Sequence, residues 1–132
     1  LLTFAGVSPK RLRERLSQMN IPGLRFEEKS FIQSNGKRGI GVYTTVTDYN
    51  SLRPTELSFY MMKLSAEFRG SNPFSNVAFT QERLFNKHVG SSAWWKALSS
   101  QGARVNVAAW VREWEKQAKA YRETTKRYFL YK

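Results

Sequence analysis

Cysteine is absent from this sequence, which excludes disulfide staples, thiolate catalysis and Cys-based zinc sites. No apolar run approaches the roughly 20 residues that a membrane-spanning helix needs. Internal repeats and low-complexity segments are also missing. Acidic residues are scarce: ten Asp and Glu stand against 22 Lys and Arg, for a formal net charge of +12. An excess of that size attracts anionic partners such as nucleic acid, acidic lipid or acidic polysaccharide, and it carries no information about fold. There is one histidine, His88. Without a cysteine or an acid at ligand spacing it makes a poor metal ligand, and without a nucleophile motif a poor triad member. It reads as an ordinary loop or N-terminal helix residue. Phosphate loops, dinucleotide fingerprints and HExxH motifs are missing, and Gly36, Gly39 and Gly41 fit hairpin geometry better than a phosphate cradle. Neither a metal nor a cofactor is indicated.

What is present is enough for one core. The 132 residues suit a single domain, and a hydrophobic fraction of 41% with 14% aromatics argues against disorder despite the charge. The opening Leu1 to Val7 lacks Met and a charged n-region, so it does not read as a signal peptide. It resembles a segment entering a domain from upstream, and the chain is expected to be a fragment.

Ser8-Pro9 opens a helix, Ser as N-cap and Pro at the first helical position, running to about Met19 with Leu12, Leu16 and Met19 on one face. Leu24, Phe26 and Lys29 to Ile32 suggest a strand, although Glu27-Glu28 interrupts the alternation. Ser34 to Gly39 is a turn around Asn35-Gly36. The β-rich run Ile40 to Thr47 then completes an antiparallel hairpin. Asp48 to Pro54 is a loop. Thr55 is expected to cap a helix to about Arg69, with Leu57, Met61, Leu64 and Phe68 as its buried stripe and Glu56 near its positive end.

Val77-Ala78-Phe79 reads as a third short strand. A helix from Ser91 or Ser92 to Gln101 stops at Gly102. From Asn106 a long helix is expected, with Val107, Trp110, Val111, Trp114, Ala118 and Tyr121 on one buried face. Tyr128 to Tyr131 is short and aromatic enough to add a strand. The expected class is α+β: a small mixed or antiparallel sheet with a β-hairpin, packed against about four helices.

Chemistry is thin. Glycoside hydrolysis usually needs two facing carboxylates, and most of the acids here fall on predicted solvent faces of helices. Asp48 alone has a suggestive position, where the best strand runs into a loop, and a simple turn role explains it as well or better. The basic residues gather at Lys10 to Arg15, at Lys37-Arg38, and along Lys116, Lys119, Arg122, Lys126 and Arg127. A nucleic-acid groove would interleave them with stacking aromatics. The aromatics Trp110, Trp114 and Tyr121 fall instead on a stripe read as core. Solvated faces are therefore favoured over a bound polyanion, and a nucleic-acid groove is not favoured.

The order of motifs resembles the C-terminal half of the NamZ-like exo-β-N-acetylmuramidases, long known only as a domain of unknown function. The matching runs are Ile21 to Phe26, Phe31, Gly41 to Asp48, and Arg53-Pro54. Leu84 to Ser91 is similar to the family's Phe-Asp-x-Leu-x-Gly-Ser stretch, and Trp110 through Arg122 with Arg127 to Tyr131 to its closing helix and tail. Three positions depart from the pattern: Gln33 stands for a proline, Tyr49 for an arginine and Asn86 for an aspartate.

The resemblance implies that residues 1–132 are a single auxiliary domain beside an upstream Rossmann-like catalytic domain that carries the acid. It further implies muramic-acid-containing peptidoglycan fragments as substrate and a periplasmic or secreted setting. This chain alone is then expected to be non-catalytic, helping to wall a cleft at the domain interface. Arg25, Thr47, Asp48 and Arg53 are the candidate substrate-binding residues, since Arg25 or Arg53 suits the lactyl carboxylate of a muramic sugar. The alternatives are a free-standing basic module for nucleic acid or anionic wall polymer, and a purely structural domain.

Overall fold

The computed structural model describes residues 1–128. Ser8 caps the first helix, its Oγ accepting from the Arg11 N–H at 3.2 Å, and Pro9 occupies the first turn where its missing N–H is harmless. Helix α1 (Pro9–Gln18) buries Leu12 and Leu16 on the face that the spacing indicates. Its polar side makes two ion pairs to other elements: Arg13 with Glu28 at 2.9 Å, and Arg15 in a two-pronged contact with Glu67 at 2.7 and 2.8 Å.

Strands β1 (Leu24–Ile32) and β2 (Arg38–Val46) pair antiparallel, in register from Leu24 opposite Val46 to Ile32 opposite Arg38. The turn closes through Gln33 N–H to Lys37 C=O at 2.8 Å, with Asn35 Oδ1 accepting from Lys37 N–H. Strict alternation fails in β1 because most of its length is open to solvent: Phe26 is its one buried residue. Glu28, which breaks the pattern, is the partner of Arg13. On the outer edge of β2, Leu2 adds a single antiparallel bridge to Val42.

Helix α2 (Pro54–Phe68) begins one residue before the expected cap. Arg53, not Thr55, is the N-cap, and no side chain bonds the helix start. Its deepest face is Glu56, Tyr60 and Leu64, and the expected stripe partners Leu57, Met61 and Phe68 are only partly buried beside it.

The expected strand at Val77 to Phe79 is not formed. Ala78 is the N-cap of α3 (Phe79–Val89), and Phe79 is 75% exposed. No residue of α3 is fully buried, so its sequence carries no strong period of burial. The helix rests on the domain through Phe85, whose ring lies 4.8 Å from that of Trp95. His88 falls in the last turn of α3, exposed, rather than in a loop or at a helix start.

Helix α4 (Ser92–Gln101) starts at Ser91, whose Oγ accepts from Trp94 N–H at 3.1 Å, and buries Trp94, Trp95, Ala97 and Leu98. Asn72 bonds two of its last carbonyls, Leu98 and Ser99, at 3.0 and 2.9 Å. After a short 3-10 turn, Asn106 caps α5 (Val107–Thr125), accepting from Ala109 N–H at 3.1 Å.

Only the first half of α5 touches the core. Val107 and Val111 are buried and Trp110 and Trp114 partly so, whereas Ala118 is exposed and Tyr121 is 70% exposed, against the expected continuous stripe. Spacing alone cannot tell how far a partner surface extends, and here it ends after about two turns. The expected closing strand is not seen at Tyr128, which lies in a 3-10 turn, and its other residues lie outside the described ones.

The α+β class holds, with five α-helices and one two-stranded antiparallel sheet among the described residues. Trp94 is the hub of the core, fully buried, with the rings of Phe59, Trp110 and Trp114 at 5.1, 5.7 and 5.8 Å. Its indole N–H points to Met62 Sδ at 3.4 Å. Burying an aromatic of this size withdraws about 200 Å² from water, a gross stabilisation of about 5 kcal/mol.

Leu64→Ala, at a fully buried site, is expected to cost about 2–5 kcal/mol in urea unfolding. Tyr121→Ala is expected to cost under about 0.5 kcal/mol. Equal losses would mean that the outer half of α5 is packed after all.

Candidate functional site

The loop leaving β2 is pinned to the start of β1. Thr47 N–H donates to Gly23 C=O at 2.8 Å, and a Cβ on Gly23 would come within 2.4 Å of the Asp48 carbonyl. Gly23 also holds φ at +73°, so both space and backbone conformation require glycine there. Asp48 bends the loop: its Oδ1 accepts from Asn50 N–H at 2.9 Å. Hydrogen bonds from the Ser51 side chain and then the Asn50 backbone hold its carboxyl below the usual range. This is the turn role that a loop aspartate commonly takes. The loop then delivers Arg53 to the first turn of α2, where its guanidinium pairs with Glu115 of α5.

Two adjoining clefts lie between this loop and α5, with Arg53, Leu52, Glu115 and Ala118 common to both. The first, about 350 Å³, is walled by Pro54, Phe59, Val111 and Trp114, with Glu56 at its side. The second, about 460 Å³, is polar, with Asn50, Ser51, Lys119 and Arg122 around Arg53. Of the four residues expected at a site, Arg53 alone lines these clefts. Thr47 and Asp48 shape the loop that carries it. Arg25 stands on β1, largely exposed, with its Nε 3.5 Å from Glu27 Oε1.

Glu56, expected near the positive end of α2, is set into the wall of the first cleft. It is 7% exposed, and its Oε2 is buried with no hydrogen-bond partner among the described residues. Burial pushes its carboxyl above the usual range, Arg53 pulls it back, and Glu115 adds to the rise. Burial, with the Glu56 charge adding to it, likewise raises the Tyr60 hydroxyl, and Arg112 opposes. The signal was present in the spacing: Glu56, Tyr60 and Leu64 fall four residues apart, which puts the acid on the face that enters the core.

Among the described residues no group of His, Cys, Asp and Glu is placed to hold a metal, and no helix is long and apolar enough to cross a membrane.

The sequence profile described as "Exo-beta-N-acetylmuramidase NamZ, C-terminal" matches residues 2–131, and the chain belongs to that family. A solved structure, that of a DUF1343 family protein from Bacteroides fragilis NCTC 9343, superposes with a TM-score of 0.71 at 25% identity. The match covers 96% of this chain and 34% of that one, so this chain spans about a third of the length of that relative. No curated protein matches the chain.

The raised Glu56 carboxyl has a defined effect on stability. A carboxyl whose folded pKa lies above its unfolded value binds more protons when folded, so stability falls as pH rises from the ordinary carboxylate range through the folded value. Glu56→Gln is therefore expected to raise the urea midpoint at pH 7 and to raise it less at pH 4. A midpoint that moves equally at both, or falls at pH 7, would show that the carboxylate has a partner in solution.

Proposed function

We propose that this domain is the auxiliary half of a peptidoglycan-degrading glycosidase of the exo-β-N-acetylmuramidase type, walling the substrate cleft of a linked Rossmann-like catalytic domain. Membership of the family and the greater length of the Bacteroides relative support the linked domain. The observation that carries the site is the position of Arg53, at the junction of two open clefts and held by Glu115. A guanidinium has five N–H donors, so Arg53 has enough to keep Glu115 and still bind a ligand carboxylate. Lys119 and Arg122 beside it raise the local positive potential. The lactyl carboxylate of N-acetylmuramic acid is the anion that this reading places there. Catalytic acids come from the other domain, and the substrate setting is the bacterial wall during its turnover.

In the two-domain protein, Arg53→Ala is expected to raise KM roughly tenfold or more, the scale of a lost charge-assisted hydrogen bond. Arg25→Ala, away from the clefts, is expected to leave KM near its starting value. Unchanged kinetics at Arg53 would remove the assignment.

The exposed cations of α5 favour a second reading, a polyanion-binding surface formed by Lys116, Lys119 and Arg122 with Lys126 and Arg127. It predicts binding to anionic polymer that weakens at least about tenfold between about 50 and about 200 mM salt and is indifferent to sugar identity. Weak salt dependence, or discrimination among sugars of equal charge, would remove it.

A further inference from the structure

The hairpin reaches beyond the body of the domain. Its register pairs Phe26 with Thr44 and Glu28 with Val42, then Ser30 with Ile40 and Ile32 with Arg38. Side chains alternate along a strand, so Phe26, Val42, Ile40 and Ile32 share one face. Phe26 and Val42 are buried in the core, whereas Ile40 is 57% and Ile32 66% exposed. The core face of the hairpin thus runs on past the last element that covers it. Ile32 and Ile40 are diagonal neighbours there, close enough to make one aliphatic patch.

The charge around this patch has one sign. From Lys29 to Thr47 the chain holds no Asp or Glu. Lys29 lies on the opposite face, over the Tyr43 ring and near Glu27. Lys37 and Arg38 are exposed and make no ion pair among the described residues. An adjoining recess of about 590 Å³, with Phe4, Phe31, Gln33 and Ile40 among its walls, holds no acid either. Every residue from Ile32 to Arg38 is exposed, so the tip projects.

A projecting tip with two aliphatic side chains offers far less than the roughly 800 Å² per partner of a standard protein interface. A bilayer surface demands no such area. It takes apolar side chains into its interfacial layer and, where its lipids are anionic, attracts the cations beside them. The turn from Gln33 to Gly36 is polar, which suits a hairpin lying along the headgroups and not one driven into hydrocarbon. We infer that the end of the hairpin docks on an anionic membrane surface, with Ile32 and Ile40 entering the interfacial layer and Lys37 and Arg38 at the lipid phosphates. This goes beyond the glycosidase reading and uses none of the cleft residues.

Co-sedimentation with vesicles tests it, using phosphatidylcholine alone and phosphatidylcholine with phosphatidylglycerol in equal parts. The 132-residue protein and the two-domain protein are both expected to bind the anionic vesicles and to leave the neutral ones. Ile32→Ser with Ile40→Ser should weaken that binding at least about tenfold, and Lys37→Ala with Arg38→Ala by about the same factor. All four positions are exposed, so the urea midpoint should stay near its starting value in both variants. Ile40→Trp should add an emission that shifts to the blue on the anionic vesicles and is quenched by brominated lipid.

Equal binding to neutral vesicles would overturn the inference. So would full binding by the Ile32 and Ile40 double variant, which would leave only a diffuse attraction of the cationic surface. Binding lost on replacing Lys116 and Lys126 of α5, and kept without Lys37 and Arg38, would move the contact to α5. Binding by the 132-residue protein but not by the two-domain protein would assign the patch to a contact between domains.

Discussion

The packing of Trp94 against Phe59, Trp110 and Trp114 is the contact on which the rest of the molecule depends. These rings come from α4, α2 and α5, and their edge-to-face and tilted arrangement sets the distance between those helices. The cleft beside Arg53 is what remains between α2 and α5 once that distance is fixed. Phe59 and Trp114 serve both purposes, packing on the core and facing the opening. A change in the aromatic cluster therefore reshapes the cleft even where no lining residue is altered. Interiors packed to crystal-like density transmit such changes rather than absorb them.

Electrostatics adds a second constraint. In a chain carrying 22 Lys and Arg against ten acids, each carboxylate is in demand. Glu28 and Glu67 hold α1 to the hairpin and to α2 through Arg13 and Arg15, and Glu115 holds α5 to the start of α2 through Arg53. Exposed pairs of this kind contribute at most about 1 kcal/mol each. Glu56 stands apart: a buried carboxyl on the aromatic side of the cleft, opposed in charge by Arg53 and with no hydrogen bond to its buried oxygen among the described residues.

Much of this architecture was legible from local pattern. The Ser8-Pro9 start, the Asn35-Gly36 hairpin, the Ser91 cap and the Gly102 stop are short-range chemistry, in which a side chain or a glycine satisfies its own neighbourhood. The structure agrees at each of them. Helix α3 leaves little trace in the sequence because it packs through a few side chains and buries none completely, so its apolar periodicity is weak. Tyr121 misled for the opposite reason. It continues a helical stripe beyond the point where any neighbour of the described chain covers it.

Chain order places Arg53 in the loop that leaves the hairpin, because a loop at the exit of a strand is a local feature, and the structure sets it at the start of α2, lining the clefts. Glu56 is expected near the positive end of α2, although its spacing with Tyr60 and Leu64 already places it on the inner face. The sequence by itself determined the α+β class, the cationic surface, the absence of thiol chemistry and the family resemblance, since composition and local motifs encode these directly. The tertiary structure alone decided which of many cations lines a cleft and which acid is buried without a partner. Both follow from how α5 crosses α2, and that crossing is set by contacts between residues far apart in the chain, which no local pattern records.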